Sequence, residues 1–460
     1  MKTLSLTASL LLSGFAGFAQ NLAPAGGGGY QPPIAECVSA SQRQLIATEL
    51  AASVAQLRQQ GRLPAADAAR PMTVLLGWPL RQATGFDYLN IHGISNFVDH
   101  NAAYPNAVQD YNCGTRTYDN ASGYNHAGTD IFLWPFSYNM MDRQQAEIVA
   151  AAPGVIISKA DGNFDRSCAM SNANWNAVYV QHTDGSVAWY GHMKTGSLTT
   201  KAVGATVMLG ERLGSVGSSG SSTGPHLHFE LHSPGGAVVD PFSGPCSTAA
   251  SWWASPRPYY DSALNTVLLH RAAPVFNACP TPDTPNESGA FMPGDRIFTA
   301  AYYHDQLAGQ TTQYTIYQPN NTVFTTWSSS STTAHYAASY WYWSYTLPTT
   351  APTGTWRFEA QYQGTRVVRN FTVGVVNATA VARPAQYTLY PNPATDVVQL
   401  SGPLPVARVE VLNPLGQVVR TLDNLRQPTL NLGELGAAGL YLVRLRRADG
   451  TVEQHKVVRQ

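Results

Sequence analysis

Two histidines follow a Gly/Ser run in Gly217-Ser-Ser-Gly-Ser-Ser-Thr-Gly-Pro-His-Leu-His-Phe-Glu-Leu231. The apolar stretch holding His226 and His228 reads as a strand, and side chains two apart on a strand share a face. An imidazole pair of that kind suits a metal ligand next to a general acid or base. Three more residues offer the same chemistry. His126 and Asp130, in Asn125-His-Ala-Gly-Thr-Asp130, are four apart and share a face on an extended segment. His192 closes the run Trp189-Tyr-Gly-His192. Each motif alone is weak, because an isolated histidine near an apolar strand is more often structural. The ordered set, each member on its own β segment, carries the weight.

Those segments need a scaffold. Ala177-Val-Tyr-Val-Gln-His-Thr183 and Ser186-Val-Ala-Trp-Tyr-Gly-His192 flank Asp184-Gly185, a strong hairpin pattern. Val203–Gly210 and Glu211–Gly217 read as further short strands with glycine turns. Glu230 and His232 continue the even series after His228, but each pair moves about 7 Å along a strand. They read as support behind the site or as structural residues. His182, beside Asp184, reads as solvated surface.

Around this region the 460 residues divide further. Lys2 and the apolar run Leu4–Phe18 predict a secretory signal over 1–19, cleaved after Ala19. Residues 20–71 read as linker and helix: Ala23-Pro-Ala-Gly-Gly-Gly-Gly-Tyr-Gln-Pro-Pro33 as linker, then a helix over about Ser41–Gln60. Ser39 or Ser41 can cap it, and Ile46, Leu50, Val54 and Leu57 form its apolar stripe. It either packs on its own domain or acts as a propeptide covering the groove. Residues 72–262 form the site-bearing β domain, with its core at 124–242. Residues 268–376 read as an Ig-like β-sandwich and 386–460 as a C-terminal sandwich of about seven strands. The fold class is all-β and multidomain, with one short N-terminal helix.

Charge and cysteine usage narrow the setting. With 28 basic and 28 acidic residues, no basic patch favours nucleic acid. No stretch qualifies as a transmembrane span. None of the five cysteines has CxxC spacing, so disulfides suit an exported chain better than a thiolate metal site. Cys113–Cys168 and Cys246–Cys279 are the expected pairs, with Cys37 left over.

The residues about 124–242 resemble the lysostaphin/LytM-type zinc metallopeptidases. The resemblance rests on His126-Ala-Gly-Thr-Asp130, Ala152-Pro-Gly-Val-Ile156, Val178 to His192, Val203 to Gly217 and Ser222-Thr-Gly-Pro-His-Leu-His-Phe-Glu230. It implies one Zn2+ per chain bound by His126, Asp130 and His228. It implies catalytic roles for His192 and His226 as base, acid or oxyanion stabiliser, without deciding which is base. It also implies an antiparallel β fold with a groove for an extended peptide. The stretch Phe132–Ala152 departs from the family by its length. The segment from Tyr387, with Tyr390-Pro-Asn-Pro393, Gly439-Leu-Tyr441 and Lys456–Val458, resembles type IX secretion sorting domains.

The resulting expectation is a secreted zinc endopeptidase acting on peptidoglycan cross-links or stem peptides. It would cross the Gram-negative periplasm with the type IX machinery as partner and end outside the cell or on its surface. The alternatives are an extracellular protease on glycine-rich proteins and a non-catalytic surface binding protein.

Overall fold

A computed structural model describes residues 20–31, 38–63, 74–374, 386–413, 417–435, 437–447 and 452–460. The expected signal segment 1–19, its cleavage point and Cys37 lie outside these residues. The described residues fall into two compact units, one up to residue 376 and one from 377 on.

The first unit holds the site-bearing sheet. Its strands run, in spatial order, Thr206–Val207, Gly154–Ala160, Ala177–His182, Val187–Gly191, His226–His232, Thr129–Leu133 and His92–Asn96, with Val238–Val239 pairing the His226–His232 strand. All of these pairings are antiparallel. The expected hairpin is present, with Val178 opposite Tyr190 and Gln181 opposite Val187. Period-two alternation sorts the His226–His232 strand into two faces. Leu227, Phe229 and Leu231 enter an apolar core with Ile131, Ile148, Val178, Tyr190 and Leu213. The even-numbered residues face the other way.

The N-terminal helix spans Ala40–Gln59, with Ser39 as its cap. Ser39 Oγ accepts from the Gln42 N–H, and the Gln42 side chain accepts from the Ser39 N–H at 3.0 Å, a reciprocal capping box. Its expected stripe packs on Val155, Ile157, Tyr179 and Trp189 of the sheet.

A two-sheet sandwich completes this unit. One sheet runs Ala263–His270, Arg296–Leu307, His335–Thr346 and Gly26–Tyr30. The other contains Gln20–Asn21, Val323–Ser330, Thr311–Tyr317, Gly354–Tyr362, Thr365–Val373 and Ala290–Phe291. Trp327, Trp343, Trp356, Tyr303, Tyr314 and Phe358 lie between the sheets. Two edge strands pair in parallel, so the layers are not purely antiparallel.

The glycine run expected as linker is therefore an edge strand: Gly26 pairs with Tyr342 and Tyr30 with Ala338. The missing side chains make room for aromatic rings. A Cβ on Gly29 would stand 2.6 Å from the Tyr336 ring, and one on Gly26 would overlap Tyr342. Composition alone reads such a run as flexible, because the rings that cover it lie some three hundred residues on.

The long stretch after Phe132 also has a structural role. Phe132, near the end of its strand, and Trp134 and Phe136 beyond it pack among Leu268, Ala300, Tyr302 and Ala338 of the sandwich. The Trp134 ring lies 5.0 Å from Phe276 and 4.5 Å from Tyr30. A buried ion pair, Arg116–Asp305 at 3.0 Å, crosses the same junction.

The disulfides correct the expected pairing. Cys113 joins Cys246, and Cys168 joins Cys279. The Cys246 N–H donates to the Tyr111 carbonyl beside the first pair, and the Arg166 side chain donates to the Pro280 carbonyl beside the second. Neither proximity can be read from sequence order.

The second unit has a three-stranded sheet, Thr388–Tyr390, Val397–Ser401 and Thr429–Asn431, and a four-stranded sheet, Val418–Leu425, Val406–Leu412, Gly439–Arg446 and Val452–Arg459. They share a core that includes Val398, Val409, Val411, Tyr441, Val443 and Val457. Asn392 of the Pro-Asn-Pro motif donates to the Lys456 carbonyl and accepts from the Val458 N–H, each at 2.8 Å.

Candidate active site

Three adjacent strands bring the five singled-out residues together. His228 pairs with Asp130 on one side and with Gly191, next to His192, on the other. His126 precedes the Asp130 strand across Ala127-Gly128. Gly128 is required there: a Cβ would stand 2.7 Å from the His228 ring and from the Phe229 carbonyl.

The donor atoms of His126, Asp130 and His228 all lie within 4.8 Å of one another, a spacing that can hold a metal ion. His126 Nε2 is 3.2 Å from Asp130 Oδ2, His228 Nδ1 is 2.8 Å from Asp130 Oδ1, and the two ring nitrogens are 3.3 Å apart. The opposite nitrogen of the His126 ring is anchored. His126 Nδ1 donates to the Phe97 carbonyl at 2.7 Å, and His228 Nε2 lies 3.6 Å from Glu230 Oε1. Burial raises the Asp130 carboxyl most, but the His126, His228 and His226 imidazoles together outweigh it and hold it well below the usual carboxylate range.

His192 and His226 stand beside this group with ring centroids 4.4 Å apart. His192 Nδ1 donates to the Ser219 carbonyl at 2.6 Å and His226 Nδ1 to the Gly224 carbonyl at 2.9 Å. Each anchor selects the tautomer that leaves Nε2 as the basic nitrogen. His226 Nε2 is 3.7 Å from Asp130 Oδ1. His192 has φ 58°, a left-handed conformation uncommon for non-glycine residues and concentrated at functional sites.

All five side chains are at most 1% exposed. Tyr118 stacks on His126 at 4.5 Å, and Trp175 meets His192 edge-on at 5.2 Å. The Gly/Ser run is itself buried. Arg166 and Ala169 bridge to Ser218 and Ser222, so the run lies beneath a neighbouring loop.

Several contributors had no local signal. Asn96 Nδ2 donates to Asp130 Oδ2 at 3.2 Å, Trp175 and Tyr118 close the site, and Arg43 of the helix reaches Glu230 at 2.8 Å. Only the tertiary fold brings these strand, loop and helix residues together. His182 is not solvated surface: it is buried, it donates to the Pro153 carbonyl at 2.9 Å, and burial lowers its pKa. Its strand position, not the adjacent turn, sets its environment.

Two imidazoles and a carboxylate around one point, flanked by two more imidazoles, have the equipment of a hydrolase site. The comparison with known proteins names the type. Residues 126–241 match Peptidase family M23, and residues 388–460 match the Secretion system C-terminal sorting domain; the chain carries both. An uncharacterized metalloprotease of Haemophilus influenzae is 35% identical over 83 residues, 18% of this chain and 17% of its own. Peptidoglycan DD-endopeptidase ShyC of Vibrio cholerae is 30% identical over 99 residues, 22% of each chain. The chain thus spans about a fifth of the length of the curated relatives it matches. The catalytic domain of lysostaphin from Staphylococcus simulans aligns at 23% identity over 33% of this chain and 89% of its own, with a TM-score of 0.21. Among the described residues no helix is long and apolar enough to cross a membrane.

Proposed function

We propose that this chain is an exported zinc endopeptidase that cleaves peptide bonds in peptidoglycan, in cross-links or stem peptides. The observation that carries this reading is the convergence of His126 Nε2, Asp130 and His228 Nδ1, with the far side of the His126 ring anchored. Two neutral imidazoles and one carboxylate fit zinc and leave a coordination position open. A zinc ion bound there would polarise the scissile carbonyl and acidify a water.

The protein's own part is proton transfer and positioning. The attacking water must lose a proton and the departing amine must gain one. His192 and His226, with their Nδ1–H groups held by carbonyls, present Nε2 for that exchange. Asp130 stays ionised beside them. The five residues are covered at rest, with Trp175 edge-on to His192.

Peptidoglycan as substrate is supported by the relative named a peptidoglycan DD-endopeptidase. Export by the type IX machinery through the Gram-negative periplasm to the surface or medium is supported by the match of residues 388–460. The test is digestion of purified peptidoglycan with mass spectrometry of the released fragments. Peptide-cleaved fragments that vanish with chelator or His228→Ala are expected. Undigested peptidoglycan with cleavage of glycine-rich proteins would replace the substrate, and activity indifferent to chelator would remove the zinc mechanism.

A further inference from the structure

We propose that Arg43, on the N-terminal helix, is a positioning residue for the metal site, acting through Glu230 on His228; the inference rests on the zinc reading above. Three observations lead to it. The first is direction along the ring. His228 turns Nδ1 toward Asp130 and His126, which places its opposite nitrogen 3.6 Å from Glu230 Oε1. A carboxylate behind a metal-binding imidazole fixes the ring's tautomer and orientation and raises its basicity.

The second is charge. The Glu230 side chain has no exposure to solvent. A carboxylate withdrawn from water needs a compensating partner held in good geometry. Arg43 Nη1 supplies it, 2.8 Å from Glu230 Oε2, and His232 Nε2 approaches the same oxygen at 3.0 Å. The arginine keeps its charge at every working pH. Its guanidinium also lies 5.6 Å from the centre of the Trp189 ring, which steadies it against the sheet.

The third is the placement of Arg43. It stands in the first turn of the helix, where the macrodipole disfavours a cation. Local helix energetics therefore do not explain an arginine there, whereas a buried carboxylate on another element does. The first turn is also fixed in place. Beyond the capping box, the Gln42 side chain donates to the carbonyls of Asn172 and Ala173 at 3.1 and 3.0 Å. These contacts hold the helix start against the loop leading to Trp175. Arg43 thus reaches Glu230, 187 residues away in sequence, from a rigid base.

The helix therefore belongs to the working peptidase. Removing it as a propeptide would take away the fixed cation of Glu230 and would loosen His228.

The experiment is zinc affinity of the full purified chain, measured by competition with a chromophoric chelator. Arg43→Met is expected to weaken zinc ten- to a hundredfold, the range for loss of a partner behind a ligand. Arg43→Lys, which keeps the charge, is expected to recover part of that loss. Glu230→Gln should weaken zinc to a similar degree, and the double variant no more than either single one, because both act through one contact. Leu50→Ala loosens the same helix elsewhere and should leave zinc affinity unchanged. If Arg43→Met does not fold, the charge-free double variant replaces it and should still show the loss. Wild-type affinity in Arg43→Met or in the double variant, or an equal loss in Leu50→Ala, overturns the proposal while leaving the zinc reading intact. A wild-type chain that holds no zinc overturns both.

Discussion

Buried histidines occur in both halves of the first unit, and they are used in opposite ways. In the sandwich, His270 spends both ring nitrogens on structure. Nδ1 donates to the Pro285 carbonyl at 2.6 Å, and Nε2 accepts from the Tyr302 hydroxyl at 3.0 Å. In the site-bearing sheet, His126 anchors Nδ1 on the Phe97 carbonyl, and His126 and His228 both turn a nitrogen toward a shared point beside Asp130. Burial is therefore no mark of function here. The mark is convergence: ring nitrogens that meet at an ionised carboxylate.

The sharpest test sets these histidines against each other. His228→Ala is expected to lose bound zinc and to bring peptide hydrolysis down to background, because a three-donor site cannot spare a donor. His270→Ala should keep zinc at wild-type stoichiometry. Metal analysis of both purified variants checks this, and zinc lost from His270→Ala as readily as from His228→Ala breaks the comparison.

Within the site a second contrast follows. His192→Ala removes a proton carrier and no donor of the metal group. Turnover should fall about 10²- to 10⁴-fold while zinc stays bound. Steady-state kinetics paired with metal analysis separates the two effects. Zinc lost from this variant would move His192 into the ligand set.

The sandwich has its own large effect, on stability. Trp343 is buried between the two sheets beside Tyr314 and Trp327. Trp343→Ala is expected to cost about 3–5 kcal/mol of unfolding free energy. All 10 tryptophans lie before residue 357, so fluorescence during urea unfolding reports on the first unit alone. Zinc affinity of the folded variant should be unchanged.

The site and its scaffold were unequally legible in the sequence. Strand periodicity brought out the hairpin, and even spacing put His226 and His228 on one face, because both are local consequences of a two-residue repeat. The seven strands of the C-terminal unit follow from the same alternation. Long-range geometry was not legible. The disulfide partners, the tyrosines over Gly26–Gly29, the sandwich anchor Trp134 and Arg43 all depend on which distant segment packs where. His182 shows the limit from the other side: a polar turn beside it suggested solvent, but its own strand is buried throughout.

The smallest predicted effect is a slope in pH. Burial lowers the His270 pKa from 6.5 to about 4, although its bond to the Pro285 carbonyl opposes the shift. The unfolded chain therefore takes up a proton below pH 6.5 that the folded chain refuses until near pH 4. The stability tied to this group is complete above pH 6.5 and is lost as pH falls toward 4. Between pH 7 and pH 5 the loss amounts to roughly 2 kcal/mol, at about 1.4 kcal/mol per pKa unit. His270→Gln has no such proton to gain. Its unfolding free energy should fall by roughly 2 kcal/mol less than that of the wild type over the same interval. Urea unfolding at the two pH values, followed by tryptophan fluorescence, measures the difference. Equal slopes would mean that His270 charges in the folded state, and the distinction between a histidine spent on structure and one kept for chemistry would no longer rest on its two hydrogen bonds.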